Sequence, residues 1–395
     1  MAGILVHEWV ESSGGAELVL EQLAEAFPDA ARYCLWNDAP ERRVSYGMRE
    51  SWLARTPLRR SKALALPLMP ATWRYALRDR SVDYAVVSSH LFAHHVRFPA
   101  AGQVPTFVYA HTPARYVWTP ELDGRGTSAP ARAASSVLKR VDRAAVNRDA
   151  SFAANSAFIA RRMADAWGVE ARVIHPPVAV ERLTAADDWA EVLDADDRAV
   201  LDALPRDFLL GASRFVPYKR LDWVVRAGEA CGVPVVIAGS GPQEDALRAL
   251  AAEARVPVHV LHRPSDDLLA ALYQRALAYV FPPVEDFGIM PVEALAAGAV
   301  VIANALGGAA ETVTEGVDGR LFHGDSLDGL VDCVRGFLDS PVRVDPRRDR
   351  AAAYARFSEA RFRDEVRRWV GPVAGHRATG SPAAVPRAGR QFSPA

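Results

Sequence analysis

The sequence predicts an α/β protein made of two doubly wound parallel-sheet units. Three observations lead there. At 395 residues the chain is long enough for two domains. Short apolar, β-branched runs alternate with longer stretches of helical period. These runs are apolar throughout rather than every second residue, as expected of strands covered on both faces of a parallel sheet.

One series of strands is expected at 3–6, 84–88, 106–110, 152–154 and 171–174, and a second at 208–212, 233–238, 256–261, 278–281 and 300–303. His175-Pro176-Pro177 stands between them, and paired prolines resist both helix and sheet, which suits a hinge. On this reading residues 1–178 form the first domain, 179–206 an acidic linker and 207–354 the second domain. A helical pattern at about 355–370 carries Phe362, Val366 and Trp369 on one face and is expected to pack back on the first domain. Residues 371–395, mostly Pro, Gly, Ala and Arg, have little to bury and are expected to be disordered.

Half of the residues are apolar and 24% are charged, an ordinary globular composition, and a net charge of -1 gives no pull toward nucleic acid. Cys34, Cys231 and Cys333 are far apart, without metal-type spacing, and fit small buried hydrophobes in a reducing compartment. The first residues lack a basic leader, and no apolar run approaches the ~20 residues of a membrane helix. A cytoplasmic location is expected, with peripheral membrane contact left open. Residues 42–80 hold ten cations (Arg42, Arg43, Arg49, Arg55, Arg59, Arg60, Lys62, Arg74, Arg78 and Arg80) against Glu50 and Asp79. Apolar groups such as Trp52, Leu64, Leu68 and Trp73 interleave. The segment reads either as a solvated face with its apolar side in the core or as a surface for anionic lipid.

Four segments carry chemistry. In 280–298 a buried strand runs into a Pro-rich turn, an acidic pair, Gly288 and then a helix start at Pro291 that Gly298 ends. A helix start at the carboxyl end of a parallel strand is an anion site, where open α/β sheets bind ligands. Glu285 and Glu293, eight residues apart, would repel a phosphate and fit acceptors for sugar hydroxyls instead. In 209–220 a strand leads to Arg214 and Lys219, two cations able to neutralise a diphosphate without metal. Gly14 and Gly15 follow the first strand and permit close backbone approach. His111 follows another strand and opens His-Thr-Pro-Ala-Arg-Tyr-Val-Trp at 111–118.

The 280–298 segment resembles the E-x7-E signature of the retaining glycosyltransferases of family 4, which have the GT-B fold of two Rossmann-like domains facing a cleft. The resemblance implies that Glu285 contacts the transferred sugar and Glu293 the nucleotide ribose, with the backbone of Phe287, Gly288 and Ile289 facing sugar and phosphates. It implies Arg214 and Lys219 as diphosphate ligands and Gly14–Gly15 as the opposing cleft loop. It places Gly239 and Arg263 on the donor side, with base choice set by the backbone near 261–264. The 111–118 segment resembles a subset rich in mannosyltransferases of polysaccharide and glycolipid assembly, in which His111 lies beside the reacting sugar. Many of those have an acid where this chain has Thr119. Weaker matches are Asn155-Ser156, Pro176-Pro177-Val178 (followed here by Ala179), and Asn304, Gly307, Gly308 and Glu311. The resemblance covers about residues 1–370.

The implied reaction transfers a sugar from a nucleoside diphosphate to an acceptor hydroxyl with retention, without cofactor or metal. GDP-mannose is the favoured donor and a UDP-sugar the alternative; the acceptor is a glycan or a lipid-linked glycan. An epimerase of the same fold, and a non-catalytic sugar-nucleotide binder, are the competing readings; a phosphorylase would need a cofactor-lysine motif that is absent. Two patterns mimic metal sites. His90, His94 and His95 have metal-like spacing on an expected helix but no evident third ligand type. Asp194-Ala195-Asp196 lies in the acidic linker with no buried strand beside it.

Overall fold

The computed structural model describes residues 2–12, 14–78, 81–99, 102–119, 129–344 and 349–374. Ser13, Asp79, Arg80 and the tail from 375 lie outside the described residues.

Strands β1 (Gly3–His7), β2 (Ala31–Cys34), β3 (Met48–Glu50), β4 (Tyr84–Ser89), β5 (Thr106–Ala110), β6 (Ser151–Ala154) and β7 (Arg172–Val173) form one sheet in the order β3-β2-β1-β4-β5-β6-β7. Strands β8 (Leu209–Arg214), β9 (Val235–Ser240), β10 (Val258–His262), β11 (Ala278–Phe281), β12 (Val301–Asn304) and β13 (Gly319–Phe322) form the other, in the order β10-β9-β8-β11-β12-β13. Every pairing in both sheets is parallel. The fold is GT-B, two Rossmann-like domains. Strand order reverses between β1 and β4 in the first sheet and between β8 and β11 in the second. The crevice beyond the carboxyl ends of strands at such a reversal is where doubly wound sheets bind ligands.

The apolar runs form the strands because each is covered on both sides: all residues of β1, β4, β5, β11 and β12 are buried. Strands β2, β3 and β13 were not expected. They are short, they carry Arg32, Arg49, Glu50 and Arg320, and β3 and β13 are edges, where one side stays wet and the apolar signal fades. His90 to His95 form no α-helix: only Ala93–His95 make a single 3-10 turn.

Two boundaries need correction. Residues 179–206 are no free linker. Val180–Leu183, Trp189–Glu191 and Ala195–Asp202 are helical, and Leu183, Trp189 and Leu201 pack into the core of the second domain with Phe208 and Tyr273. Asp194 caps the last of these helices, accepting from the Asp197 N–H at 2.8 Å, which accounts for the acidic pattern there. The final helix runs Glu359–Ala374, past Gly371. It buries Phe362, Val366, Trp369 and Val370 against Leu20, Leu23 and Tyr109 of the first domain, and Trp369 donates to Ser151 Oγ at 2.8 Å. The chain therefore crosses between domains twice, and the crossings lie side by side: Val178 bridges to Ser358 and its N–H donates to Phe357 O at 2.9 Å. Among the described residues no helix is long and apolar enough to cross a membrane.

Candidate active site

A cleft of about 770 Å³ lies between the domains, at the carboxyl ends of β1, β4, β5, β8 and β11. On the side of the second domain, β8 ends at Arg214 and a 3-10 turn, Pro217–Lys219, brings Lys219 back toward β11. Arg214 is exposed and donates to Tyr218 OH at 3.0 Å. Lys219 Nζ lies 2.5 Å from Glu285 Oε1 on the loop after β11. Glu285 Oε2 accepts from Arg115 Nη2, of the first domain, at 3.0 Å. Burial alone would raise the Glu285 carboxyl, but Lys219 and Arg115 outweigh it and hold it at about 2, so it is anionic at neutral pH.

The loop carrying Glu285 rests on two glycines. Gly308 N–H donates to Glu285 O at 2.8 Å, and a Cβ at Gly308 would lie 2.3 Å from Asp286 O. A Cβ at Gly307, which is in the left-handed region at φ 100°, would lie 2.6 Å from Glu285 O. This is the physical reason for paired glycines in the 304–311 segment. Beyond Glu285, Phe287 turns its ring into the hinge against His175 and Phe357, leaving its backbone with Gly288 and Ile289 along the cleft. Gly288 caps the helix Ile289–Ala297, which begins two residues before Pro291 and so places Glu293 in its second turn. Glu293 lies outside the cleft lining, half-buried, and burial pushes its carboxyl up to about 7.

Gly239 and Arg263 also lie outside the cleft lining. A Cβ at Gly239 would meet Ser213 O at 1.9 Å, so glycine there keeps the ends of β8 and β9 together. Arg263 adopts φ 47°, donates its N–H to Gly239 O at 2.9 Å and its Nε to Ser240 Oγ at 3.3 Å.

On the side of the first domain, Gly14 and Gly15 open the helix Gly15–Ala26, the first helix after β1. A Cβ at Gly15 would lie 2.8 Å from Ile289 Cδ1, so the loops of the two domains already touch. His111 follows β5, lines the cleft and is held by Ser88 Oγ at 2.8 Å from Nε2. Burial lowers it to about 4, so it is neutral. Trp9, Glu11 and Lys62 complete this side; Lys62 Nζ sits 2.5 Å from Glu11 and over the Trp9 ring at 4.5 Å.

The structure also brings in contacts between the two domains that motif reading did not assign to the site. Arg115 reaches across the cleft to Glu285 and, through Nε, to Asp286 Oδ2 at 3.0 Å. Arg162 meets Asp286 Oδ1 at 3.0 Å and Thr119 Oγ1 at 2.6 Å, so the threonine found in place of an acid has an arginine as its partner. Ser156 Oγ donates to Asp286 O at 2.5 Å. Glu311 accepts from the N–H groups of Ala157 and Phe158, both at 2.8 Å, and so caps a helix of the opposite domain, Ala157–Trp167. Burial would raise Glu311, but His175 at 3.6 Å and the two backbone donors outweigh it and hold it below the usual carboxylate range. Arg115, Ser156 and Glu311 all stand in recognisable motifs; their cross-domain partners had no local signal.

The histidine pattern loses His90 and gains Asp142: His94, His95 and Asp142 are buried with donor atoms within 4.8 Å of one another, a grouping that could hold a metal ion. His94 and His95 point Nε2 at Asp142 Oδ1, at 2.9 and 2.8 Å, while Trp118 and Trp167 donate to Oδ2 at 2.7 and 2.8 Å. The carboxylate is fully buried and hydrogen-bonded by His95 Nε2 and the two indoles, while His94 Nε2, though close, makes no hydrogen bond. Asp142 thereby ties Trp118, and with it the 111–118 segment, to the first-domain core. His90 stands apart, edge-on to Trp9 at 4.7 Å.

The sequence matches the family profile of Glycosyl transferases group 1 over residues 195–357 and that of Glycosyltransferase Family 4 over residues 13–182. It is 31% identical to a D-inositol 3-phosphate glycosyltransferase of Mycolicibacterium smegmatis, covering 73% of this chain and 67% of that protein. It is 30% identical to a GDP-mannose-dependent alpha-(1-6)-phosphatidylinositol monomannoside mannosyltransferase of the same organism, over 52% of this chain and 58% of that one. The chain spans only 57% to 59% of the length of several curated relatives. Among solved structures it is similar to Anabaena Alr3699/HepE in complex with UDP, with a TM-score of 0.69 at 18% identity, covering 94% of this chain and all of that one. With one profile on each domain and a relative 31% identical over 306 residues, the chain belongs to glycosyltransferase family 4.

Proposed function

We propose that the protein transfers a sugar from a nucleoside diphosphate to a hydroxyl of a glycan or lipid-linked acceptor, with retention at the anomeric carbon. The observation that carries this reading is the charge arrangement of the cleft. Lys62, Arg115, Arg214 and Lys219 line the cleft against Glu11, Glu17, Glu285 and Asp286, and Arg214 and Lys219 stand together at the end of β8, two positive charges that match the two negative charges of a nucleoside diphosphate. Arg214 has no acidic partner among the described residues and is ready for phosphate. Lys219 sits on Glu285 and would pass to the phosphate as sugar hydroxyls take its place on the carboxylate.

In the reaction the bond between the anomeric carbon and the phosphate oxygen breaks, and the acceptor oxygen bonds to that carbon on the same face. The acceptor's proton goes to the departing phosphate oxygen, whose growing charge Arg214 and Lys219 stabilise without metal. Glu285, held anionic, steadies the sugar through its hydroxyls, and Glu293 takes the ribose.

GDP-mannose is the preferred donor, because the 111–118 segment resembles mannosyltransferases and one relative is named for that donor. A UDP-sugar is the second reading, favoured by the likeness to a structure in complex with UDP-glucose. The 42–80 segment is proposed to touch an anionic membrane from the cytoplasmic side: Tyr46, Trp52, Leu64, Leu68 and Tyr75 are exposed there among its cations. The test is a thermal-shift and calorimetric panel of GDP-mannose, GDP-fucose, UDP-glucose, UDP-galactose and UDP-GlcNAc, with Lys219→Ala as control. Stabilisation by one donor that the variant weakens supports the reading. A folded protein that binds none of them refutes it.

A further inference from the structure

Behind His111 a hydrogen-bond chain crosses three adjacent strands at the carboxyl edge of the first sheet. His7 ends β1 and pairs in register with Ser88 of β4, and His111 follows β5, its N–H donating to Ser89 O at 2.8 Å. His7 Nδ1 lies 3.0 Å from Ser88 Oγ, and Ser88 Oγ lies 2.8 Å from His111 Nε2. His7 and Ser88 are fully buried.

The hydrogen bonds of this chain have one consistent direction. Ser88 has one hydroxyl hydrogen and two ring nitrogens beside it, so it donates to one and accepts from the other. His7 Nε2 is buried and has no hydrogen-bond partner. An orphaned N–H is the costlier vacancy in a protein interior, so that nitrogen carries the lone pair and His7 carries its proton on Nδ1. His7 then donates to Ser88, Ser88 donates to His111 Nε2, and His111 must bear its proton on Nδ1. Burial keeps both rings neutral, at about 3 for His7 and about 4 for His111, so each has a single N–H. Among the described residues no other hydrogen bond is made by the His111 ring, which lines the cleft.

We infer that His7 and Ser88 lock His111 as the Nδ1–H tautomer, so that it presents a hydrogen-bond donor to an oxygen of the bound sugar and does not act as a base. The ligand half of this inference rests on the donor-site reading; the tautomer half does not. It makes His7 and Ser88 positioning residues, two strands and one strand behind the ligand.

The test has two arms. In ¹⁵N-histidine-labelled protein without ligand, the His111 signals, assigned by their loss in His111→Phe, should show a protonated Nδ1 and an unprotonated Nε2. Ser88→Ala should abolish that preference, and Ser88→Thr should keep it. A wild-type His111 protonated on Nε2 overturns the inference, and this arm needs neither turnover nor donor. In the second arm, Ser88→Ala should weaken GDP-mannose about tenfold, one oriented hydrogen bond, while leaving GDP unchanged. Equal affinity of Ser88→Ala and wild type for GDP-mannose overturns the sugar contact. Failure of the wild type to bind any sugar nucleotide would instead remove the donor-site reading and leave the tautomer result standing.

Discussion

Removing the Glu311 carboxylate should loosen the two domains from each other without unfolding either. Glu311 stands in the second domain, yet both of its hydrogen bonds cap a helix of the first, through the N–H groups of Ala157 and Phe158 at 2.8 Å. The carboxylate is mostly shielded, with 23% of its side chain exposed, so solvent screening is modest. Hydrogen bonds to charged groups contribute about 1.5–3 kcal/mol each, and a charge at a helix start adds up to ~2 kcal/mol. These overlap, and the freed N–H groups regain water when the domains part. The expected loss for Glu311→Ala is therefore about 2–3 kcal/mol of coupling, a shift of roughly 30–150-fold toward separated domains. Hydrogen exchange at Ala157 and Phe158 reads this directly: both amides should lose protection by that factor while those of β5 and β12 keep theirs. Unchanged protection at the two amides would refute the argument that this carboxylate joins the domains.

Glu285→Gln should lower kcat/KM for transfer at least 100-fold while leaving nucleoside diphosphate affinity unchanged or tighter, because Lys219 and Arg115 lose a competing anion; calorimetry with GDP or UDP beside a transfer assay checks both halves. Glu293, raised to about 7 by burial, keeps its proton in the folded protein at pH values where the unfolded chain has lost it. Its contribution to stability therefore falls as pH rises from about 4.5 to about 7, and Glu293→Gln should flatten that slope in denaturant titrations. Ribose hydroxyls donating to it would favour the anion, so nucleotide binding near pH 6.5 should release a proton, visible as a buffer-dependent binding enthalpy. Gly15→Ala should leave the melting temperature nearly unchanged but weaken donor binding several-fold, since the new methyl meets Ile289 only across the cleft. Leu64→Asp combined with Leu68→Asp should release the protein from anionic vesicles in sedimentation, with no effect on neutral ones.

The parts of the fold that were legible in the sequence are those that physics writes locally. Strands buried on both faces read as continuous apolar runs, and their carboxyl ends placed Gly14, Gly15, His111, Arg214, Lys219 and Glu285 around one cleft. The parts that were not legible depend on distant partners. Arg115 meets Asp286 across 171 positions, and nothing near either residue announces the other. Asp142 lies on the helix Ala129–Ala145 yet is buried against rings from three other segments. The acidic stretch before β8 looked like solvent-exposed linker because its few apolar residues, Leu183, Trp189 and Leu201, are spaced widely among charges. Strand β3 failed for the converse reason: an edge needs little apolar surface.

The double crossing at Val178 and Ser358 also orders events in time. The helix that completes the first domain, Glu359–Ala374, is encoded after the whole of the second. A ribosome adding about 5–20 residues per second needs roughly 10–40 s to pass from Val178 to Ser358. Throughout that interval Leu20, Leu23 and Tyr109 face water, awaiting Phe362 and Trp369. The first domain to emerge is thus the last to be sealed, and the nascent chain carries an open apolar face that a chaperone, or a second unfinished chain, can find first.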